Sequence, residues 1–373
     1  MTAVFYLLLG WLLTVATCIA LGASLKRILK LETSGWEDLV YRFLLGAATL
    51  SLIVFALSSL SLIHKGTIYA VAILAILSSW NNWPKLSKPG WHWSAVPALI
   101  YFVFYLLHAM APEKSPDGMS YHLGLVARYY REHGFHWFAT NMYAYLSQGL
   151  EMLFLFAFAI GRHSAAALVH FTFLILLPIL LATAFGIRGW LAGLFIVLLP
   201  VVGIDGISAY NDVALAVVLF ATWQAMSRWR ETSKPAWVSV AAILAGFAFS
   251  IKFTGVIAIL FLLPAWRLWP RLLLAAACAL PWLVKSWLWA GNPFAPFFNA
   301  WLENPWFSAD FENNYRAFLR HYELSGPVEW AKEVFLGGSR LSGSLGPLAL
   351  LLPFTLLGLR DKQNRRLLFA AAL

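Results

Sequence analysis

Eleven runs of 15–24 largely apolar residues recur along this 373-residue chain, separated by short polar breaks. A helix of that length is about what the hydrocarbon core of a bilayer requires. The runs are continuous rather than alternating, and lipid admits only helices or closed barrels, so they read as helices. The composition agrees: 61% of residues are hydrophobic and 12% charged, against about half and about a quarter in soluble domains. The expected fold is therefore an all-α integral membrane bundle of about 11–12 transmembrane helices, with surface helices in two outer loops.

The expected spans are 3–24, 43–63, 66–82, 95–111, 163–186, 189–204, 212–229, 236–251, 253–268, 271–289 and 345–359, with a twelfth starting at Leu367. The N-terminal residues lack the basic region of a signal peptide, so 3–24 reads as a retained span. Cys18 and Cys278 both fall inside apolar runs, which argues against a disulfide or a cysteine-based metal site. Residues 149–161 form another apolar run. At 13 residues it suits a re-entrant or interfacial helix better than a crossing.

Charge selects the orientation. With 149–161 not crossing and the N-terminus outside, the inner loops hold 16 of the 27 basic residues and five acids, a net of +11. The outer side keeps 11 basic and 12 acidic residues, a net of −1. Were 149–161 to cross, the later basic clusters would face outward, so the positive-inside rule selects the first arrangement. The overall +10 thus marks inner loops rather than a nucleic-acid surface. Three regions follow: N-terminal helices 1–94, a membrane core 95–300 with an outer loop 112–148, and residues 301–373 with the second outer loop. Long polar loops occur only on the outer face, where function is expected.

Ser115-Pro116-Asp117-Gly118 opens a helix in the first outer loop, with Ser115 as cap and Pro116 in the first turn. Met119, Leu123, Val126 and Tyr130 form a stripe that suits a helix on a membrane surface, with Arg128 off it. Asp117 reads two ways: a general base at the lipid–water boundary, or a carboxylate complementing a helix N-terminus. His122 could position a substrate or bind metal, or be structural. Glu151 stands at the mouth of an apolar run and must face a cavity or a partner. Asp212, Lys252 and Lys285 map to the outer leaflet, where two lysines suit an anionic lipid headgroup; snorkelling is the bland alternative.

In order, Asp117 to His122, Tyr143 to Met152, Tyr210-Asn211-Asp212, Lys252-Phe253-Thr254-Gly255 and Lys285 through Asn292-Pro293 resemble segments of one family. It is the polytopic lipid-linked glycosyltransferases of the C superfamily, in the bacterial family 39-like branch related to protein mannosyltransferases and the lipid A aminoarabinose transferase. The resemblance covers residues 95–300 and implies sugar transfer from a polyprenyl-phosphate carrier to a lipid, glycan or protein acceptor outside the cytoplasm. It implies Asp117 as catalytic base and Asp212 as shaping the acceptor or metal site. Lys252 and Lys285, with Arg128, would hold the carrier phosphate. Tyr121, His122, Glu151, Tyr210 and Asn292 would be further substrate contacts. The family often carries paired acids where this chain has Asp117 alone, which leaves a divalent metal open. The rivals are a non-catalytic subunit of a membrane complex and a lipid or anion transporter. The latter is disfavoured because charges gather at one face and no repeated half is visible.

Overall fold

The computed structural model describes residues 2–86, 92–337 and 343–351. Among them all regular secondary structure is helical, without a strand. The helices are α1 (Thr2–Leu29), α2 (Gly35–Ser59), α3 (Lys65–Ser78), α4 (Ala95–Ala109), α5 (Leu123–Arg131), α6 (Gly149–Phe185), α7 (Ile187–Val197), α8 (Pro200–Ile207), α9 (Asp212–Thr232), α10 (Ala236–Ile251), α11 (Ala258–Leu262), α12 (Trp269–Ala290), α13 (Ala309–Leu319) and α14 (Pro327–Ala331).

By length and composition, four helical stretches in the described residues can cross a membrane: α1, α2, α6 and the stretch from Phe253 to Ala290. The pair α7 and α8 makes a fifth if counted as one broken span, and α3, α4 and α10 are shorter apolar helices. The expectation of 11–12 full spans is thus met only in its coarser part, several apolar helices in one bundle. Two expected spans are broken. The run 189–204 bends by 81° between α7 and α8, where Pro200 cannot continue a helix and begins a new one instead. The run 253–268 divides into 3₁₀ turns around α11, with Pro264 in the second. The expected spans at 345–359 and from Leu367 fall wholly or mostly outside the described residues.

Polar contacts give the bundle two distinct ends. At one, Lys26 and Arg42 both pair with Asp38, Arg228 with Glu37, and Lys234 with Glu32. This basic end collects the end of α1, the start of α2, the end of α9 and the approach to α10. At the other end Lys252 pairs with Asp212 at 2.6 Å, joining the start of α9 to the end of α10. Arg271 of α12 binds Ser239 of α10 at 2.9 Å near the basic end, and Lys285 reaches Ala144 near the opposite end.

The run 149–161 does not cross between these ends. It forms the first part of α6, but Arg162 takes φ +66° and divides that helix into two limbs. The first limb starts against Ser250, in the last turn of α10, and ends against Tyr6 and Leu7 at the start of α1. Leu150 and Met152 to Ala157 are inaccessible to solvent, and Glu151 nearly so. An all-round apolar helix belongs inside a bundle, and this limb lies in the interior of the bundle rather than on its surface.

Glycines let α1 and α2 touch. A Cβ at Gly46 would overlap the Cys18 carbonyl, and one at Gly22 the Arg42 carbonyl. In lipid, where burial of apolar surface drives helix association weakly, such close backbone approach supplies the packing energy. Gly46→Ala is expected to destabilise the solubilised protein by about 1–3 kcal/mol. Gly66→Ala, with open space at its Cβ, should be neutral or slightly stabilising. Denaturant unfolding monitored by tryptophan fluorescence checks both; equal effects would contradict the packing.

Candidate functional site

The loop after α4 is tied down by Glu113, a residue to which the sequence attached no functional expectation. Its Oε1 accepts the N–H groups of Lys114 and Ser115 at 2.9 and 2.8 Å, and Oε2 accepts that of Ala209 at 2.9 Å. Burial pushes its carboxyl upward, but these donors more than offset that and hold it below the ordinary carboxylate range. Ser115 Oγ then caps the next helix by accepting from Gly118 at 3.1 Å, as expected from sequence.

That helix opens with a π turn, Gly118–His122, before α5. One extra residue per turn rotates the register. Met119 is consequently 59% exposed, while Leu123, Leu125, Val126 and Tyr129 are buried. The expected surface stripe of Met119, Leu123, Val126 and Tyr130 is therefore corrected: α5 is packed into the bundle, and Met119 is turned out of its buried face.

The same turn points His122 inward. Its Nδ1 lies 2.6 Å from Glu151 Oε1, and both side chains are buried. Asn211 Nδ2 donates to the same oxygen at 3.3 Å and to the Ile251 carbonyl at 3.4 Å. Glu151 Oε2 is buried with no hydrogen-bond partner among the described residues. One carboxylate thus joins the first outer loop, the first limb of α6, the start of α9 and the end of α10.

Asn211 is free for this because α9 is capped from elsewhere. Asp205 Oδ2 accepts the Val213 N–H at 2.7 Å, and His170 Nε2 accepts the Ala214 N–H at 3.2 Å. His170 Nδ1 contacts the Ser208 carbonyl at 2.9 Å, and Nε2 also lies 3.6 Å from Asp205 Oδ2. Neither residue carried a functional expectation; His170 sits mid-run in an apolar helix, and only the fold brings it beside an N-terminus.

Around this buried centre lies a more open rim. Asp117 is exposed. Tyr121 stacks on Tyr143 with ring centres 4.0 Å apart, and His122 lies 5.6 Å from Tyr210. Burial raises the Tyr121 phenol, with the Asp117 charge adding to it. The Tyr143 phenol is pushed up to about 12 by burial and then by its neighbours Tyr315, Asp117 and Tyr322. Tyr210 is likewise raised by burial, then by the charges of Asp117, Glu113 and Asp205. Residues near the second outer loop, Tyr315 of α13 and Tyr322, therefore approach the first.

Three expected contacts lie apart from this cluster. Arg128 binds Glu132 at 2.9 Å and covers the Phe138 ring at 3.5 Å. Asn292 accepts the Phe294 N–H at 2.8 Å and donates to the Phe297 carbonyl at 2.8 Å, folding the turn after α12. Lys285 donates to the Ala144 carbonyl and sits among the Trp289, Phe135 and Trp282 rings at 4.1, 5.0 and 5.7 Å. It also borders an apolar groove of about 550 Å³ formed with Phe55, Pro281, Val284, Leu288 and Trp289. The tyrosine stack adjoins this lysine along the chain, since Tyr143 immediately precedes Ala144.

Among the described residues, no three or more His, Cys, Asp and Glu side chains are grouped so as to hold a metal ion. Comparison with known families, characterised proteins and solved structures finds no match for the chain.

The depressed Glu113 carboxyl gives a pH prediction. Such a group contributes stability above its unfolded value, and that contribution is lost as pH falls through the folded value. The stability difference between wild type and Glu113→Gln should shrink from about pH 7 to about pH 3. Thermal unfolding across that range measures it; a difference independent of pH would contradict the assignment.

Proposed function

We propose that this protein transfers a sugar from a polyprenyl-phosphate carrier to an acceptor hydroxyl, with inversion, at the bundle end holding Asp117. The observation that carries the reading is the juxtaposition of two features at one end. One is an open polar rim of Asp117, Tyr121, Tyr143, Asp212 and Lys252 over the buried Glu151 centre. The other is the apolar groove beside Lys285, suited to a lipid chain. The excess of basic side chains at the opposite end supports a cytoplasmic orientation for that end and a non-cytoplasmic one for the site.

In this mechanism Asp117 takes the proton of the acceptor hydroxyl. The acceptor oxygen forms a bond to the anomeric carbon as the bond from that carbon to the phosphate oxygen breaks. The electron pair leaves with the carrier phosphate, which needs no strong general acid. Lys252 stabilises the leaving phosphate, and doing so releases Asp212 from their 2.6 Å pair. The stacked Tyr121 and Tyr143 rings give the sugar a face and two hydroxyls to bind. The unpartnered Glu151 oxygen offers an acceptor that a bound polar group would satisfy. Lys285 stands at the groove rather than on the rim, so its role is to attract the anionic head of the carrier, not to contact the reacting atoms.

Asp117→Asn should lower turnover of a polyprenyl-phosphate sugar by about 10²–10⁴-fold, the usual worth of a general base, with carrier binding little changed. Single-turnover assay of the purified chain in lipid nanodiscs, with binding measured in parallel, checks this. Undiminished turnover would overturn the mechanism.

A further inference from the structure

A second cavity, of about 740 Å³, lies at the basic end, away from Asp117. The first turn of α2, the end of α6, the starts of α4 and α7 and one residue of α9 enclose it. Its wall holds one carboxylate and one guanidinium side by side, for Arg228 Nε donates to Glu37 Oε1 at 2.9 Å. Both are partly exposed, with 33% and 20% of their side chains accessible. Arg228 also donates through Nη1 to Glu231 at 3.1 Å and through Nη2 to the Thr183 carbonyl at 3.4 Å. A guanidinium carries five N–H donors, so two are left for a ligand. Glu37 likewise keeps its second oxygen.

The rest of the wall is amphiphilic. Trp36 and Trp190 contribute indoles, and Ile179 and Ile187 continue it with apolar surface. Ser34, Gly35, Trp36 and Glu37 border the cavity, and no side chain caps α2, so the N–H groups of its first turn are without a side-chain cap there. The cavity stands at the end of the bundle marked by Lys26, Asp38, Arg42 and Lys234, and charged side chains at the ends of apolar helices suit the headgroup region of a bilayer.

We propose that this cavity binds the headgroup of a zwitterionic phospholipid whose phosphate is joined to a primary ammonium. Arg228 and the first turn of α2 take the phosphate. Glu37 takes the ammonium, with the indoles offering their faces to the cation. An anionic glycerol headgroup carries the phosphate without the ammonium, and would set nothing against Glu37. The proposal is independent of the sugar-transfer reading, because the two sites occupy opposite ends.

The test is native mass spectrometry of the full chain with phosphatidylethanolamine or phosphatidylglycerol of matched acyl chains. Wild type should retain phosphatidylethanolamine about tenfold better, a difference of about 1.4 kcal/mol, and Glu37→Gln should abolish that preference. Ile187→Trp fills the cavity from a half-exposed position and leaves the Glu37–Arg228 pair in place. It should lower retention without lowering the unfolding temperature, which keeps the test decisive if Glu37→Gln does not fold. Displacement by excess soluble phosphoethanolamine, but not by glycerol phosphate, would support headgroup recognition further. Equal retention of the two lipids by wild type, or an unchanged preference in Glu37→Gln, would overturn the proposal.

Discussion

A carboxylate buried among apolar helices is tolerable only if its neighbours supply hydrogen bonds, and Glu151 draws those neighbours from separate parts of the chain. His122 comes from the first outer loop, and Asn211 from the turn before α9. Asn211 in turn grips the Ile251 carbonyl, just ahead of Lys252. Removing a partner from such a buried charge ordinarily costs about 3–5 kcal/mol, so the segments bearing Asp117, Asp212 and Lys252 are held relative to one another by one group. The capping of α9 by Asp205 and His170 makes this possible, since it spares Asn211 the usual work of an N-cap residue.

The two ends of the bundle divide the labour. The basic end is stitched by ion pairs that tie α2 to α1 and to α9. The opposite end carries loops rather than tight turns, and its first loop is pinned by Glu113 to the Ala209 N–H before α9. Aromatic rings carry the packing between the loops, as in Tyr145 against Phe307 at 5.0 Å and Trp137 against Trp306 at 4.5 Å. Tyr143 and Tyr315 extend that contact toward Asp117. A ligand entering there would meet a polar rim whose foundation is already ordered.

Helical character was legible in the sequence because apolar runs report burial or lipid contact directly. The bounds of α10 coincide with the expected span, since Lys234-Pro235 and Lys252 bracket its run. Breaks inside apolar runs were not legible: the 81° bend at Leu198–Pro200 and the left-handed Arg162 leave hydropathy unchanged. The site was partly legible. Charge at span ends singled out Asp117, Glu151, Asp212 and Lys252, and these do gather at one end with His122. Asn292 and Arg128 lie apart from that cluster, their polar atoms engaged in local folding, a turn in one case and an i,i+4 pair in the other. Glu113 and His170 escaped notice because their partners are backbone N–H groups brought close only by the fold.

The most direct test of the Glu151 centre is hydrogen–deuterium exchange of wild type and Glu151→Ala in lipid nanodiscs. The account predicts faster exchange together in three segments distant in sequence, around 118–123, 211–215 and 250–255, with the basic end unchanged. Faster exchange confined to the residues flanking position 151 would contradict the claim that one buried carboxylate organises this end of the bundle.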